Sequence, residues 1–221
     1  MITAQELYFA TRGLPKHEMI FVETGSYTGN MIDVALELGF SEVRSVEISE
    51  KYYNHCKERF SDEVTSGKVK LYHGDSADLL EKMIRKTKKR IVFWLDAHCS
   101  QGDTGGNDNK NPLIDELKTI KEVSSRNDHV IMIDDLHYVR HGFYRDHHRP
   151  FTEQELNERI MDINSDYKFK YADCRTQVTH KDTRKEFHMS LIDKNIVTMY
   201  TEDCLVTPKS VLIARTDWKD K

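Results

Sequence analysis

The chain has 221 residues, of which 38% are hydrophobic and 32% are charged. This length can bury a complete core, so we expect a single domain over residues 1–221. The formal net charge is -4, with acidic and basic residues intermixed, which gives no overall field that favours nucleic acid. The longest apolar stretch, residues 91–95, is too short to span a membrane. We therefore expect neither a nucleic-acid nor a membrane partner.

The four cysteines are far apart in the sequence and form no CxxC pair. This spacing is not typical of a disulfide scaffold or a zinc ribbon, so free thiols in a reducing compartment are the simplest interpretation. The first residues lack the basic start and the apolar run of a signal peptide. We expect a cytoplasmic protein, and a homodimer is one candidate for its oligomeric state.

Short apolar runs alternate with amphipathic segments along the first part of the chain. The runs predict strands, and each but the last is followed by a segment with helical spacing. The first helix (residues 29–38) ends at Gly39, and Ser49 is placed to cap the second. Ser76 opens the third helix, and Pro112 starts the fourth, whose first turn is acidic. The predicted strands here are residues 19–23, 43–47, 69–72, 91–95 and 129–133.

The second part of the chain has a less regular pattern. Thr152 and Glu155 form a capping box that predicts a helix. Residues 167–171 and 210–214 have the pattern of strands, and residues 176–208, the least regular stretch, could hold a hairpin. The whole alternation predicts an α/β fold, with a mostly parallel central sheet of about seven strands and helices on both faces.

The predicted strands of the first part deliver carboxylates to one edge of the sheet. Ligands of open parallel sheets bind beyond this carboxyl edge. Like charges repel, so stability alone would not require such a pattern. The residues at the ends of the five strands, in chain order, are Glu23 and the loop Gly25, Ser26, Tyr27, Thr28 and Gly29; Glu47; Gly74, Asp75 and Ser76; Asp96 and His98; and Asp134, Asp135 and His137.

The first loop (residues 25–29) has GxxxG spacing and lacks the GxGxxG of dinucleotide-binding folds. Its glycines would let a ligand approach the backbone closely. Glu23 would repel a pyrophosphate, so a ligand with a cationic or amino-acid portion fits better. Glu47 lies where an acidic side chain accepts hydrogen bonds from ribose hydroxyls, and Asp75 with Ser76 is placed to meet an adenine edge.

Over about residues 20–135, these strand-end residues resemble those of the class I S-adenosylmethionine-dependent methyltransferases. The resemblance implies a Rossmann-like methyltransferase fold, with a cofactor-binding half at about 19–135 and a substrate side at about 136–221. The alternative is an ordinary Rossmann-like sheet whose glycines only form turns. The cofactor-binding residues that the resemblance implies are Glu23, Gly25, Ser26, Tyr27, Thr28, Gly29, Glu47, Asp75, Ser76 and Asp96.

Asp96 ends the fourth predicted strand, and Asp134 and Asp135 end the fifth. Three carboxylates that converge need a cation to offset their repulsion, and all-oxygen ligands favour Mg²⁺ or Mn²⁺. The Asp-Asp pair resembles that of the metal-dependent, macrocin-type sugar O-methyltransferases, whereas catechol-type enzymes have Asp-Asn. The alternative is that some of these aspartates only cap helices or bind the cofactor.

Two histidines are candidate catalytic bases. His98 follows Asp96 by two residues, and His137 follows Asp135 by two. An unperturbed histidine can accept a proton near neutral pH, and Asp96 is a rival for this role. We favour His98, although either histidine could instead be a metal ligand or a surface residue.

Two polar segments could cover the expected site. Residues 137–149 are rich in His and Arg and could recognise a hydroxyl-rich or phosphate-bearing substrate, or form a solvated loop. Residues 101–111 contain three glycines and could close over the substrate, or be simply mobile. Trp94 and Trp218 are expected to pack in the core or near the chain end.

These features predict transfer of a methyl group from S-adenosylmethionine to a hydroxyl of a sugar, a glycan or a similar vicinal diol, aided by Mg²⁺ or Mn²⁺. A catechol-like small-molecule O-methyltransferase and an inactive methyltransferase-like scaffold are the alternatives. A nicotinamide-dependent oxidoreductase is disfavoured because GxGxxG is absent. A nucleic-acid amino-methyltransferase is disfavoured because residues 95–98 replace the Asn/Asp-Pro-Pro-aromatic motif.

Overall fold

The computed structural model describes residues 4–97, 111–146, 149–177, 199–200 and 204–218. The helices are α1 (Ala4–Ala10), α2 (Asn30–Glu37), α3 (Glu50–Arg59), α4 (Ser61–Thr65), α5 (Ser76–Ile84), α6 (Leu113–Val123), α7 (Leu136–Arg140) and α8 (Glu153–Ile163). The strands are β1 (Ile20–Thr24), β2 (Glu42–Glu47), β3 (Val69–His73), β4 (Ile91–Leu95), β5 (Val130–Ile133), β6 (Arg145–Asp146), β7 (Arg149–Pro150), β8 (Lys168–Gln177), β9 (Met199–Tyr200) and β10 (Cys204–Arg215).

The main sheet has the strand order β3-β2-β1-β4-β5-β10-β8, and the short β9 pairs with β10. Strands β1 to β5 pair in parallel, while β10 is antiparallel to β5 and to β8. This confirms the predicted α/β fold with a mostly parallel sheet. Chain order reverses between β1 and β4, and such a reversal opens a crevice at the carboxyl ends of the two strands.

Two apolar layers cover the sheet, one on each face. Along β1, Ile20 and Val22 pack into the layer that includes α5, α6 and α8, whereas Phe21 packs into the layer that includes α1 and α2. This alternation follows from the two-residue repeat of a strand. Strand β4 is buried along its whole length, as its continuous apolar run predicts, and Trp94 within it has no exposed surface.

Helix boundaries follow the capping residues with one exception. Gly39, with a φ of +79°, follows the C-terminus of α2, as predicted. Ser49 stands at the N-cap of α3 but makes no side-chain capping bond, so the expected cap is absent. The Thr152 and Glu155 capping box of α8 is formed as predicted.

Three features of the fold were not anticipated. The N-terminal segment forms α1, which buries Leu7 and Ala10 against the sheet. Strands β8 and β10 are longer than the predicted segments 167–171 and 210–214. Their backbones pair beyond the apolar residues, because antiparallel hydrogen bonding does not require apolar side chains. Part of residues 137–149 forms α7 and the β6–β7 hairpin rather than a continuous loop. The hairpin suggested within 176–208 lies mostly outside the described residues.

Candidate active site

The loop between β1 and α2 lies directly against the end of β4. Gly25 has a φ of +87°, and a Cβ on it would lie 2.8 Å from the backbone oxygen of Asp96. Gly29 has a φ of +83°, and a Cβ on it would lie 2.5 Å from the ring of Phe60. Both positions require glycine, for the left-handed backbone and for the close approach. The glycine loop and Asp96 therefore form one wall of the crevice.

Glu23, near the end of β1, is buried and supports this loop from the inside. It is 2% exposed, and its carboxylate accepts a hydrogen bond from Ser45 Oγ at 2.5 Å. The Ser45 and Ser26 hydroxyl oxygens are also 2.5 Å apart, which connects Glu23 to the loop. Burial raises the pKa of Glu23 well above its ordinary value, and the charges of Asp96 and Glu47 raise it further.

Glu47, the last residue of β2, joins the two loops that border the crevice. Its Oε2 accepts a hydrogen bond from the Tyr27 backbone N–H, and its Oε1 accepts one from the Ser49 N–H, both at 2.8 Å. A carboxylate has about four acceptor sites, so two such bonds still leave room for ribose hydroxyl donors. The position of Glu47 is compatible with the ribose-binding role expected from the sequence.

Exposed apolar surface flanks Glu47. Tyr27 is 51% exposed, and its ring centroid lies 4.5 Å from that of Tyr52 on α3. Ile48 directly follows Glu47 and is 45% exposed. Apolar walls with a few placed polar groups are typical of small-molecule sites. Sequence reasoning missed Ile48 and Tyr52, and the available signal was an isoleucine immediately after a strand-end acid.

The end of β3 delivers Asp75 and Ser76 to the start of α5. One Asp75 oxygen, Oδ1, accepts a hydrogen bond from the Ala77 N–H at 2.9 Å and thereby caps the helix. Ser76 is 5% exposed, and its Oγ is buried without a hydrogen-bond partner among the described residues. Of the two predicted adenine contacts, Asp75 is therefore the better placed to reach a ligand.

Asp96, Asp134 and Asp135 meet at the carboxyl ends of β4 and β5. Each offers a carboxylate oxygen, and these three atoms lie within 4.8 Å of one another. The parallel register pairs Leu95 with Ile133, which brings the residues after both strands together. The structure thus gathers the three carboxylates that the sequence singled out. An all-oxygen donor set of this size could hold a hard divalent cation.

Two tyrosines lie in the electrostatic field of these three carboxylates. Burial, and then the charges of Asp135 and Asp134, raise the pKa of Tyr138 to about 12. Burial, and then the same two acids with Asp96, raise the pKa of Tyr144 well above its ordinary value. The strongest charges acting on both phenols are therefore negative, and a bound cation would offset them. Sequence analysis did not single out either tyrosine.

Comparison with known proteins identifies the architecture. No protein-family model and no curated protein matches the sequence. The precorrin-6y C5,15-methyltransferase of Geobacter metallireducens matches the structure with a TM-score of 0.54 and 12% identity, over 96% of this chain and 87% of that one. A putative methyltransferase of Bacillus halodurans matches with a TM-score of 0.52 and 11% identity, over 96% and 98%. This is the methyltransferase fold.

A putative O-methyltransferase of Klebsiella pneumoniae has the same fold, with a TM-score of 0.51 and 14% identity over 96% of this chain and 78% of that one. At such identities the likeness establishes the methyltransferase fold alone. None of the helices that the structure describes is long and apolar enough to cross a membrane.

His137 lies beside Asp135. Its side chain is buried, with Nδ1 at 3.1 Å from Ser210 Oγ on β10 and at 3.8 Å from Asp135 Oδ1. Asp135 stands at the start of α7, and its backbone has a φ of +52°. The other candidate base, His98, lies outside the described residues.

Two arginines of the basic segment, residues 137–149, pair with acids. Arg140 Nε donates to Glu153 at 2.5 Å, and Arg149 lies 2.8 Å from Glu155. Both acids belong to α8, so these pairs hold α7 and the β6–β7 hairpin to that helix. The other expected cover, residues 101–111, lies outside the described residues except for Asn111, whose side chain accepts a hydrogen bond from Leu113 N–H.

Cys56 is a buried thiol beneath the glycine loop. Its thiol is buried and donates a hydrogen bond to the backbone oxygen of Tyr27 at 3.3 Å. Burial raises its pKa to about 12, so the thiolate that would react is not formed near neutral pH. Cys56 thus has a packing role beneath the glycine loop.

Proposed function

We propose that this protein transfers a methyl group from S-adenosylmethionine to a hydroxyl oxygen of an acceptor, with the help of a divalent cation. The shared position of Asp96 carries the proposal. Its backbone oxygen lies against Gly25, and its carboxylate belongs to the group formed with Asp134 and Asp135. A donor site and a cation site with a common residue would hold both reactants side by side, as methyl transfer requires. The methyltransferase fold supports the donor part of the proposal.

S-adenosylmethionine would supply an electrophilic methyl carbon on its sulfonium sulfur. The glycine loop would approach the methionine end of this donor, and Glu47 would accept hydrogen bonds from its ribose hydroxyls. Asp75 would contact the adenine edge. Tyr27 and Ile48 would cover the nucleoside with apolar surface, because both are exposed beside Glu47.

Asp96, Asp134 and Asp135 would hold the cation, for which Mg²⁺ or Mn²⁺ fits the oxygen donors. Such an ion lowers the pKa of a hydroxyl and fixes its direction. The displaced proton would pass to the imidazole of His98 or to the carboxylate of Asp96. His137 is the weaker candidate base, because its side chain is largely buried.

A neutral acceptor with two adjacent hydroxyls suits this site best. Three carboxylates exceed the charge of one divalent cation by one, so the site would stay negative with the cation bound, which disfavours a phosphate-bearing acceptor. A vicinal diol of a sugar or glycan can present both oxygens to one cation. A catechol presents the same pair of oxygens on a flat ring and is the second candidate.

Asp135→Asn tests the cation part of the proposal. We expect methyl transfer to a vicinal-diol glycoside in Mg²⁺ to fall by about 100-fold, because one charged ligand is lost. Binding of S-adenosylmethionine, measured by calorimetry, should stay close to that of the wild type. Asp166→Asn is the matched control, since Asp166 is exposed in the turn after α8. A catechol tested in parallel separates the two acceptor classes.

Two results would contradict the proposal in different ways. Full turnover in excess chelator would show that no divalent cation takes part. An absence of S-adenosylmethionine binding, with and without Mg²⁺, would instead favour an inactive scaffold with the same fold.

A further inference from the structure

Glu116, in the first half of α6, is a buried acid to which the proposed reaction assigns no role. It is 1% exposed, and its Oε1 has no hydrogen-bond partner in the part of the chain that the structure describes. Its place near the start of α6 suits the helix dipole, but that interaction does not require burial. Burying a carboxyl group costs free energy unless hydrogen bonds or an opposite charge offset it.

The carboxyl of Glu116 lies behind the wall of the cofactor crevice. The hydroxyls of Ser76, the first residue of α5, and Thr24, the last residue of β1, are close enough to favour its charged form. Thr24 Oγ1 in turn accepts a hydrogen bond from the Asp96 backbone N–H at 3.2 Å. Glu116 therefore lies between the three elements that would surround the sulfonium donor.

Its charged neighbours are also acids. Asp75 at the start of α5 and Asp96 after β4 act on Glu116, and Asp115 precedes it on α6. Burial, and to a smaller extent the charges of Asp75 and Asp96, raise the pKa of Glu116 to about 7 against the effect of the two hydroxyls. A positive charge that binds nearby would therefore favour the ionised form of Glu116.

We infer that Glu116 makes the cofactor crevice selective for the positively charged methyl donor over the product that lacks this charge. The inference rests on the proposed function. S-adenosylmethionine and S-adenosylhomocysteine differ by one methyl group and by the sulfonium charge. An ionised Glu116 attracts the sulfonium of the donor, whereas the thioether sulfur of the product carries no charge to attract. The same side chain thus strengthens binding of the donor relative to binding of the product.

The test is the ratio of two dissociation constants, S-adenosylhomocysteine over S-adenosylmethionine, measured by calorimetry in EDTA at pH 6 and pH 8. We expect the ratio to rise about fivefold between these pH values in the wild type, because Glu116 ionises in this interval. The α-amino group that both ligands share cancels in the ratio. Glu116→Gln should remove the rise, whereas Glu122→Gln, at an exposed position of the same helix, should keep it.

Several outcomes would overturn the inference. A wild-type ratio that does not change with pH contradicts it. If the ratio rises in Glu116→Gln as much as in the wild type, another acid such as Glu23 causes the effect, which also contradicts it. If neither ligand binds, the proposed function fails together with the inference. If both bind with a constant ratio, only the inference fails.

A second measurement covers the case in which Glu116→Gln does not fold. Calorimetry of the wild type at pH 7, in two buffers of different ionisation enthalpy, gives the number of protons released on binding. S-adenosylmethionine should release more protons than S-adenosylhomocysteine, because only the sulfonium drives ionisation of Glu116. Equal release by the two ligands would contradict the inference.

Discussion

Gly25 is subject to two constraints that mutation can separate. It has a φ of +87°, and a Cβ on it would lie 2.8 Å from Asp96 O, whereas Gly39 has a φ of +79° with nothing within 4 Å of its Cβ position. We expect both Gly25→Ala and Gly39→Ala to lose about 1–2 kcal/mol of stability through the backbone. Only Gly25→Ala should also weaken S-adenosylmethionine binding, by about tenfold or more, because the loop must move away from Asp96.

Chemical denaturation and calorimetry check the two parts of this prediction. Gly39→Ala is the matched control, since it carries the backbone cost without the contact. Wild-type affinity in Gly25→Ala would show that the loop does not approach the donor.

Among single residues, the strand-end acids could be predicted and their buried neighbours could not. Asp96 and Asp135 follow apolar runs, so their chain positions alone assign them to one edge of a parallel sheet. Glu116 and Tyr144 lie within a helix and after a short turn, with no local pattern that marks them. Their proximity to the crevice depends on how α6 and α7 pack against the sheet.

At the scale of elements, helix starts differ in whether their capping side chain forms a bond. Thr152 Oγ1 accepts a hydrogen bond from the Glu155 N–H at 3.1 Å, whereas Ser49 makes no side-chain cap. We expect Thr152→Ala to lower the free energy of unfolding by about 1 kcal/mol. Ser49→Ala should change it by less than about 0.5 kcal/mol.

Urea denaturation of the two variants measures the difference. Equal losses of stability would show that Ser49 caps α3 in solution and that the capping residue, rather than the observed bond, decides the outcome.

The elements of the substrate side illustrate why the second half was harder to predict. Residues 137–149 contain several charged side chains and little apolar periodicity, which favours a loop. The structure forms α7 there because Leu136 and Val139 find places in the core, and because Arg140 pairs with Glu153 on α8. Contacts with a distant helix, rather than local pattern, determine this element.

For the molecule as a whole, the sheet holds a buried histidine at the end opposite its carboxylates. His129 lies at the amino ends of β4 and β5, away from the carboxylates, and is 1% exposed. Its Nδ1 accepts a hydrogen bond from the Ile91 N–H at 3.0 Å, and its backbone oxygen accepts one from Tyr167 Oη at 2.9 Å. Through these two bonds His129 connects its own segment to Ile91 and to Tyr167. The bond from the Ile91 N–H requires a neutral ring, because a protonated Nδ1 cannot accept.

His129 should make the fold sensitive to acid. Burial lowers its pKa from 6.5 to about 4, so the unfolded chain takes up a proton that the folded chain excludes. The contribution of neutral His129 to the free energy of unfolding is therefore present above about pH 6.5 and is lost as the pH falls towards 4. The loss between pH 7 and pH 4.5 is about 2 kcal/mol.

His129→Asn keeps an acceptor for the Ile91 N–H and has no titrating ring. The difference in unfolding free energy between pH 7 and pH 4.5 should therefore be smaller in this variant than in the wild type by about 2 kcal/mol. Denaturation curves at both pH values measure it. The comparison uses the change with pH, which separates the titration from any packing cost of the substitution. An equal loss in both proteins would contradict the assignment to His129.

The amino-acid sequence alone determined the parallel sheet and the edge at which the acids gather, because strand and helix periodicity and the order of elements are local properties of the chain. It also placed Asp96, Asp134 and Asp135 at neighbouring strand ends. Only the tertiary structure decided that Glu23 is buried, that His137 is buried beside Asp135, and that Glu116 lies behind the crevice. Burial and electrostatic environment depend on side chains that are distant in sequence, and these meet only when the sheet and its helices pack together.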